Sequence, residues 1–454
     1  MSRVLVIQMA KLGDFIQSTP FLAALRSARP GRSIALAAGE AAVLEAARLS
    51  PLVDETLALG PGRPEPEGEF EAVFNLNTAR AAARLSGRVR AGQRFGPVAQ
   101  GETLRFPPAQ EFLMGLMAED RRLGRFNLAD VWLALVPEAG PRPLFWPPPA
   151  RPLSGPGLRV GLHLGAKNHL RRWPVENFVR LARTLGRLAG DFTPVLTGSA
   201  GERALGARFE KLGPKAENLL GATDLAELSR VLAGLDLLVA ADTGVLHLAA
   251  ALKTPTLALF FGPAYGPETG PYGPGHLVYQ AEAPCGPCLE GLCRRRQCLA
   301  LPDPDQAARL ASTLLPAAPP LTDLTVKKAD MTVEKTELTV KQTEPTVKKT
   351  DLTVTKIWRT GGDAFGQTLE PLGRPALTGD EALALALTWA GQTVFRPGFQ
   401  ARPEDLAARA ALYAPPAGRM RLAEERFRRL AGRLAPPVRE LLARGLEIIG
   451  LEIA

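Results

Sequence analysis

The sequence predicts an α/β protein made of two Rossmann-like halves, followed by a repeat segment and a small, mainly helical tail. Three observations carry that reading. Apolar, β-branched runs alternate with helical patterns at the spacing of βαβ units. A proline-rich stretch interrupts the alternation once, between residues 137 and 156. Beyond residue 315 the composition changes to a seven-residue repeat.

Arg3 to Gln8 is apolar without period-2 alternation, the pattern of a parallel strand buried on both faces. The turn Lys11-Leu12-Gly13-Asp14 follows, then a helical pattern to Ala28 and further strands at Ser33–Ala38 and Ala72–Asn75. Eight prolines between Pro137 and Pro156 remove backbone donors and stiffen the chain, as suits a linker. The alternation then restarts with strands at Arg159–Leu164, Thr193–Thr197, Asp236–Ala241 and Thr256–Phe261. Helices are expected at Pro174–Leu188, at Asp224–Leu235 behind a Thr223 or Asp224 cap, and at Thr243–Leu252. The expected domains are therefore residues 1–150, 151–315, a repeat linker 316–356 and a helical segment 357–454. The repeat (LTVKKAD, MTVEKTE, LTVKQTE) places apolar residues two apart, which forms no coiled-coil seam and reads as a solvated spacer. In the tail, Met420, Ala423, Phe427, Leu430 and Leu434 would share one face of a helix.

At 454 residues the chain exceeds one ordinary core, and 46% hydrophobic against 22% charged residues excludes a wholly disordered chain. No run approaches the ~20 apolar residues of a membrane-spanning helix. The N-terminus does not read as a signal peptide, so a cytoplasmic protein is expected. A net charge of +9 fits an anionic partner. The four cysteines, Cys285, Cys288, Cys293 and Cys298, are spaced C-x2-C-x4-C-x4-C. Four thiolates this close would suit a structural zinc or an iron–sulfur cluster, against reduced or disulfide-paired alternatives.

Four constellations could carry chemistry. Lys11, Gly13 and Asp14 follow a parallel strand, where open α/β sheets bind ligands; the GxGxxG spacing of a dinucleotide site is absent. Asn168, Arg171 and Arg172 precede a helix start, an arrangement that holds phosphate, while His163 reads as a strand residue. Asp242-Thr243-Gly244 opens another helix, with His247 one turn on and on the face of Thr243. The proline- and glycine-rich loop Gly262–Gly273 is rigid for a reason the sequence does not name.

In this order the motifs resemble glycosyltransferase family 9, the bacterial ADP-heptose–lipopolysaccharide heptosyltransferases. The matching stretches are VLVIQMAKLGDFIQSTPFLAALR, GLHLGAKNHLRRWPVENFVRLA, LTGSAGER and DLLVAADTGVLHLAAALKTPTLALFFGP, within residues 1–315. The resemblance implies a GT-B architecture, acceptor on the first Rossmann-like domain and nucleotide-sugar on the second. It implies an inverting transfer without a catalytic metal, Asp14 as general base, Arg171 at the donor phosphates and Glu202 at the ribose. Asp242, Thr243, Gly244 and His247 would lie near the diphosphate, with Lys11 and Gly13 as weaker candidates. Arg171 stands where lysine is usual and Lys11 where serine is frequent. The expected partners are a nucleotide-diphosphate sugar and a glycolipid or glycan acceptor at the inner membrane surface, not nucleic acid. Rival functions are another nucleotide-sugar enzyme, such as an epimerase, and a non-catalytic scaffold.

Overall fold

The computed structural model describes residues 2–101, 103–107, 121–124, 126–136, 142–153, 155–283, 286–288, 293, 296–316, 356–363, 366–371, 379–395, 403–410, 420–422, 430, 434 and 436–453. The first lobe holds a five-stranded parallel sheet of β1 (Arg3–Ile7), β2 (Ser33–Ala38), β3 (Glu55–Ala58), β4 (Phe70–Asn75) and β5 (Ala91–Phe95). Its order is β3-β2-β1-β4-β5. The chain winds outward from β1 to one side and from β4 to the other, so the turn after β1 lies at a topological switch point. Helices α1 (Leu12–Gln17), α2 (Thr19–Ala28), α3 (Ala41–Leu49) and α4 (Arg80–Arg88) connect the strands. The predicted single helix from the glycine turn to Ala28 is broken at Ser18, whose hydroxyl donates to the Phe15 carbonyl. Strand β3 has no counterpart in the sequence reading, because its four residues are all half-buried and show no apolar period.

A short hairpin, β6 (Val98–Gln100) with β7 (Thr103–Arg105), precedes helix α5 (Leu128–Leu133). The described part of the proline-rich stretch, residues 142–153, is anchored to the first lobe. Leu144 and Trp146 are buried, and the Phe145 amide donates to Thr19 Oγ1 at 2.9 Å.

The second lobe contains β8 (Leu158–His163), β9 (Phe192–Thr197), β10 (Glu217–Asn218), β11 (Leu237–Ala241), β12 (Thr256–Phe260) and β13 (His276–Gln280), all parallel. The sheet order β10-β9-β8-β11-β12-β13 puts a second switch point between β8 and β11. Helices α6 (Val175–Ala189), α7 (Arg203–Leu212), α8 (Leu225–Ala233), α9 (Gly244–Ala251), α10 (Gly266–Thr269) and α11 (Pro304–Ser312) complete it. Asp224 caps α8 by accepting from the Glu227 amide at 2.7 Å, as predicted. Apolar packing crosses between the lobes: Val6 and Phe15 belong to the same buried cluster as Leu246, Leu248 and Tyr272.

The C-terminal segment is less separate than the sequence indicated. Its first strands, β14 (Lys356–Asp363) and β15 (Gly366–Pro371), extend the second sheet antiparallel beyond β13. β13 is buried along its whole length, and this pairing covers its outer edge. Helices α12 (Gly379–Phe395), α13 (Pro403–Ala410) and α14 (Pro436–Ile448) then form a small apolar core around Leu383, Trp389, Leu406 and Leu442, with Phe126 of the first lobe packed on it. The expected helical face through Met420 is corrected at its start. Met420–Leu422 is a strand, β16, paired in parallel with β17 (Leu451–Ile453), which satisfies backbone groups that a frayed helix start would leave open. Ala423 and Phe427 lie outside the described residues, as does the repeat between 317 and 355.

Candidate active site

Both switch points face the boundary between the lobes. After β1, the chain turns through Met9–Lys11 into α1. A buried polar frame holds this turn: Asn77 Oδ1 accepts from the Met9 amide at 3.0 Å, and Asn77 Nδ2 donates to the Ile7 carbonyl at 2.7 Å. Asp14 is the third residue of α1, and its Oδ2 accepts from the Lys11 amide at 3.0 Å. Burial raises its carboxyl above the usual carboxylate range, with the negative Asp242 adding to the effect. The Lys11 amide and the ring of His247 act against that shift. The Lys11 side chain is exposed beside it.

Across the boundary, β11 ends at Asp242 and α9 begins at Gly244. The two turns touch through glycines. A Cβ on Gly13 would lie 2.8 Å from His247 Cδ2, and one on Gly244 would lie 3.3 Å from the Gly13 nitrogen. At Gly13 a side chain would force His247 to shift, while at Gly244 the contact would be tight.

Asp242 is the hub of the second turn. Its Oδ2 meets Arg171 Nη1 at 3.0 Å and accepts from Thr269 Oγ1 at 3.3 Å, while Oδ1 faces His247 Nε2 at 3.5 Å. Burial works to raise this carboxyl, but the His247 contact, the Arg171 guanidinium and the Thr269 hydroxyl hold it below its ordinary range. Asp242 is therefore an anion that fixes three cationic or polar side chains, Arg171, Thr269 and His247. Thr243 Oγ1 and His247 Nδ1 are buried and find no hydrogen-bond partner among the described residues. Two such atoms at one helix start are polar capacity directed at a ligand.

Glu202 sits in the turn after β9. Its Oε2 accepts from the Ser199 amide and hydroxyl, each at 2.8 Å, and its Oε1 faces Arg172 Nη2 at 3.4 Å. Burial opposes ionisation, but Ser199, His163 and Arg172 together hold the Glu202 carboxyl low. Gly165 leaves the space this carboxylate fills, since a Cβ there would overlap it. His163 is a strand residue, as expected: burial pushes its pKa down to about 4, against the pull of Glu202, and it pairs with Thr197 Oγ1 at 3.0 Å.

The loop Gly262–Gly273 has a use the sequence did not name: it receives Arg121, Arg122, Asn127 and Asp130 of the first lobe. Arg121 makes a forked ion pair with Glu268. Tyr265 Oη donates to the Arg122 carbonyl at 3.1 Å, Asn127 Nδ2 to the Gly270 carbonyl at 3.2 Å, and Tyr272 Oη to Asp130 Oδ1 at 2.7 Å. Arg121 went unremarked because its partnership with Glu268 spans 147 residues and leaves no periodic trace.

Cys288, Cys293 and Cys298 line one small cavity with Leu170 and Gly262, next to Arg171 in the chain. Cys285 lies outside the described residues. Among the described residues, no three His, Cys, Asp or Glu side chains form a group that could hold a metal ion.

Two Rossmann-like lobes that meet at their switch points, with glycine-lined anion-ready turns between them, define an α/β protein of GT-B architecture. Residues 157–299 match the family model of glycosyltransferase family 9 (heptosyltransferase). It is similar to lipopolysaccharide heptosyltransferase 1 of Pseudomonas aeruginosa, 44% identical over 125 residues, which cover 27% of this chain and 34% of that protein. It is also similar to lipooligosaccharide heptosyltransferase 2 of Haemophilus influenzae, 30% identical over 131 residues, covering 27% of this chain and 34% of that protein. The match thus spans about a third of these curated relatives' length. A glycosyl transferase family 9 structure from Veillonella parvula shares the fold, with TM-score 0.54 and 20% identity over 69% of this chain and 97% of that one.

Proposed function

We propose that this chain is an inverting glycosyltransferase that moves a sugar, heptose by its relatives' names, from a nucleotide-diphosphate donor to a lipopolysaccharide-core or other cell-envelope glycan. The observation that carries the proposal is the glycine-to-glycine contact of the Asp14 turn with the Asp242–His247 turn. It brings a basic carboxylate and an anion-ready helix start to one boundary.

In this reading Asp14 takes the proton of an acceptor hydroxyl while the oxygen attacks the anomeric carbon opposite the diphosphate. Its raised pKa makes it a stronger base once ionised. Negative charge grows on the leaving diphosphate. Arg171, the α9 amides, the Thr243 hydroxyl and His247 would receive it, and no metal ion is assigned to the step. Asp242 holds Arg171 and His247 apart at fixed positions, so little reorganisation accompanies the charge. Glu202, already ionised and held by Ser199, is the proposed acceptor for the ribose hydroxyls. Lys11 offers a cation to an anionic acceptor, consistent with a glycolipid reached at the inner membrane face.

The test is transfer from ADP-heptose to a core-oligosaccharide acceptor, with Asp14→Asn as the decisive variant. Transfer should fall by at least a thousandfold while ADP binding stays within a few-fold of wild type. Normal turnover in the variant removes Asp14 from the mechanism. Free nucleotide without glycosylated product would favour an epimerase-type enzyme, and nucleotide binding without turnover a scaffold. Undiminished activity in EDTA is the check on metal independence.

A further inference from the structure

We infer that Arg121 is a positioning residue for the nucleotide site, acting from the opposite lobe through Glu268, Thr269 and Asp242. The inference rests on the nucleotide reading of that site. The Arg121 side chain is 15% exposed and uses its fork on four acceptors. Nε and Nη2 hold the Glu268 carboxylate, while Nη1 donates to the Pro263 carbonyl at 2.8 Å and to the Cys288 carbonyl at 3.0 Å. One guanidinium thus clamps the loop after β12 at its start and its middle and ties it to the cysteine segment. A lysine has no planar fork and cannot reproduce this set.

The clamp reaches the site in one residue. Thr269 follows Glu268, and its hydroxyl reaches Asp242 Oδ2, the same oxygen that holds Arg171. Shifting the loop would shift Asp242, and with it both Arg171 and His247. The far side of the clamp is also fixed, because helix α12 of the tail packs on the turn 121–123. Arg121 touches no proposed substrate atom, so its role is placement.

The experiment titrates ADP into the full-length chain and its variants by calorimetry, with melting temperature recorded alongside. Arg121→Met is expected to weaken ADP binding about tenfold or more, the equivalent of about 1.4 kcal/mol. Arg121→Lys should recover part of that loss. Thr269→Val keeps the shape and removes the hydroxyl that reaches Asp242 and, at 3.5 Å, the Tyr265 carbonyl, so it should weaken ADP binding with little change in melting temperature. Thr269→Val also decides the matter if Arg121→Met fails to fold. Arg180→Met breaks the exposed Arg180–Asp305 pair elsewhere in the lobe and should leave ADP binding as it was. Wild-type affinity in Thr269→Val, or equal weakening in Arg180→Met, overturns the inference while leaving the nucleotide reading intact. A wild-type chain that binds no ADP overturns both.

Discussion

Asp14 answers to two opposed demands. As a residue of the fold it starts a helix, and its carboxylate oxygen completes the turn on the Lys11 amide. As the proposed base it must be ionised where burial and Asp242 disfavour charge. A carboxyl raised in the folded state binds its proton more tightly there than in the unfolded chain. Its contribution to stability is present below the unfolded pKa and is lost as pH rises through the folded one. Asp14→Asn removes that loss and can still accept from Lys11 through its amide oxygen. The variant is therefore expected to melt above wild type near neutral pH, with the gap closing as pH falls towards about 4. In the wild type, kcat/KM should climb with pH along an acid limb displaced above the ordinary carboxylate range. Melting curves across that window and the pH–rate profile check the two halves. An acid limb at an unshifted carboxylate position would contradict the burial of Asp14.

Two element ends, the starts of α1 and α9, form the centre of the proposed site, and glycine governs their distance. Gly13→Ala would push a methyl to 2.8 Å from His247 Cδ2. Relief requires moving His247, which Asp242 holds, or parting the two lobes. Overpacking of this kind costs about 1–3 kcal/mol, whereas a displacement of ~1 Å between reacting groups costs about a hundredfold in rate. Gly13→Ala is expected to lose far more turnover than stability. Gly186→Ala, inside α6 and 3.9 Å from its nearest neighbour, should instead gain about 0.5–1 kcal/mol and leave turnover unchanged. Kinetics and calorimetry on the pair separate geometry from stability. These ends were legible in the sequence because strand, glycine and aspartate lie within a dozen residues, where local chemistry fixes the turn. The Asn77 frame, the Arg121 clamp and Thr269 were not, because each acts across 27 to 147 residues and carries no periodicity. The α/β class and both lobes followed from apolar runs, while the half-buried β3 escaped for want of one.

At the scale of the whole molecule, the tail decides how firmly the two lobes are held. It is attached at two places that belong to different lobes. β14 pairs with β13 from Leu277↔Arg359 to Gln280↔Lys356, and Gln280 Oε1 accepts from the Gly266 amide in the loop that Arg121 clamps. The tail's apolar core rests on Phe126, close to Arg121 in the chain. A chain ending at residue 355 would expose the edge of β13, a strand buried on both faces, together with Phe126. An unpaired apolar edge is a template for association, and the lost packing would loosen both supports of the Gly262–Gly273 loop. The truncated chain is expected to melt lower, to self-associate on heating and to bind ADP more weakly than the full chain. Calorimetry, light scattering and ADP titration of the two forms test this together. The loss should exceed that of Phe126→Ala alone, because the truncation removes the sheet edge as well as the apolar contact. A truncation that melts and binds ADP like the full chain would show the tail to be a passenger, and would leave the apolar cluster and the Arg121–Glu268 pair between the lobes sufficient without it.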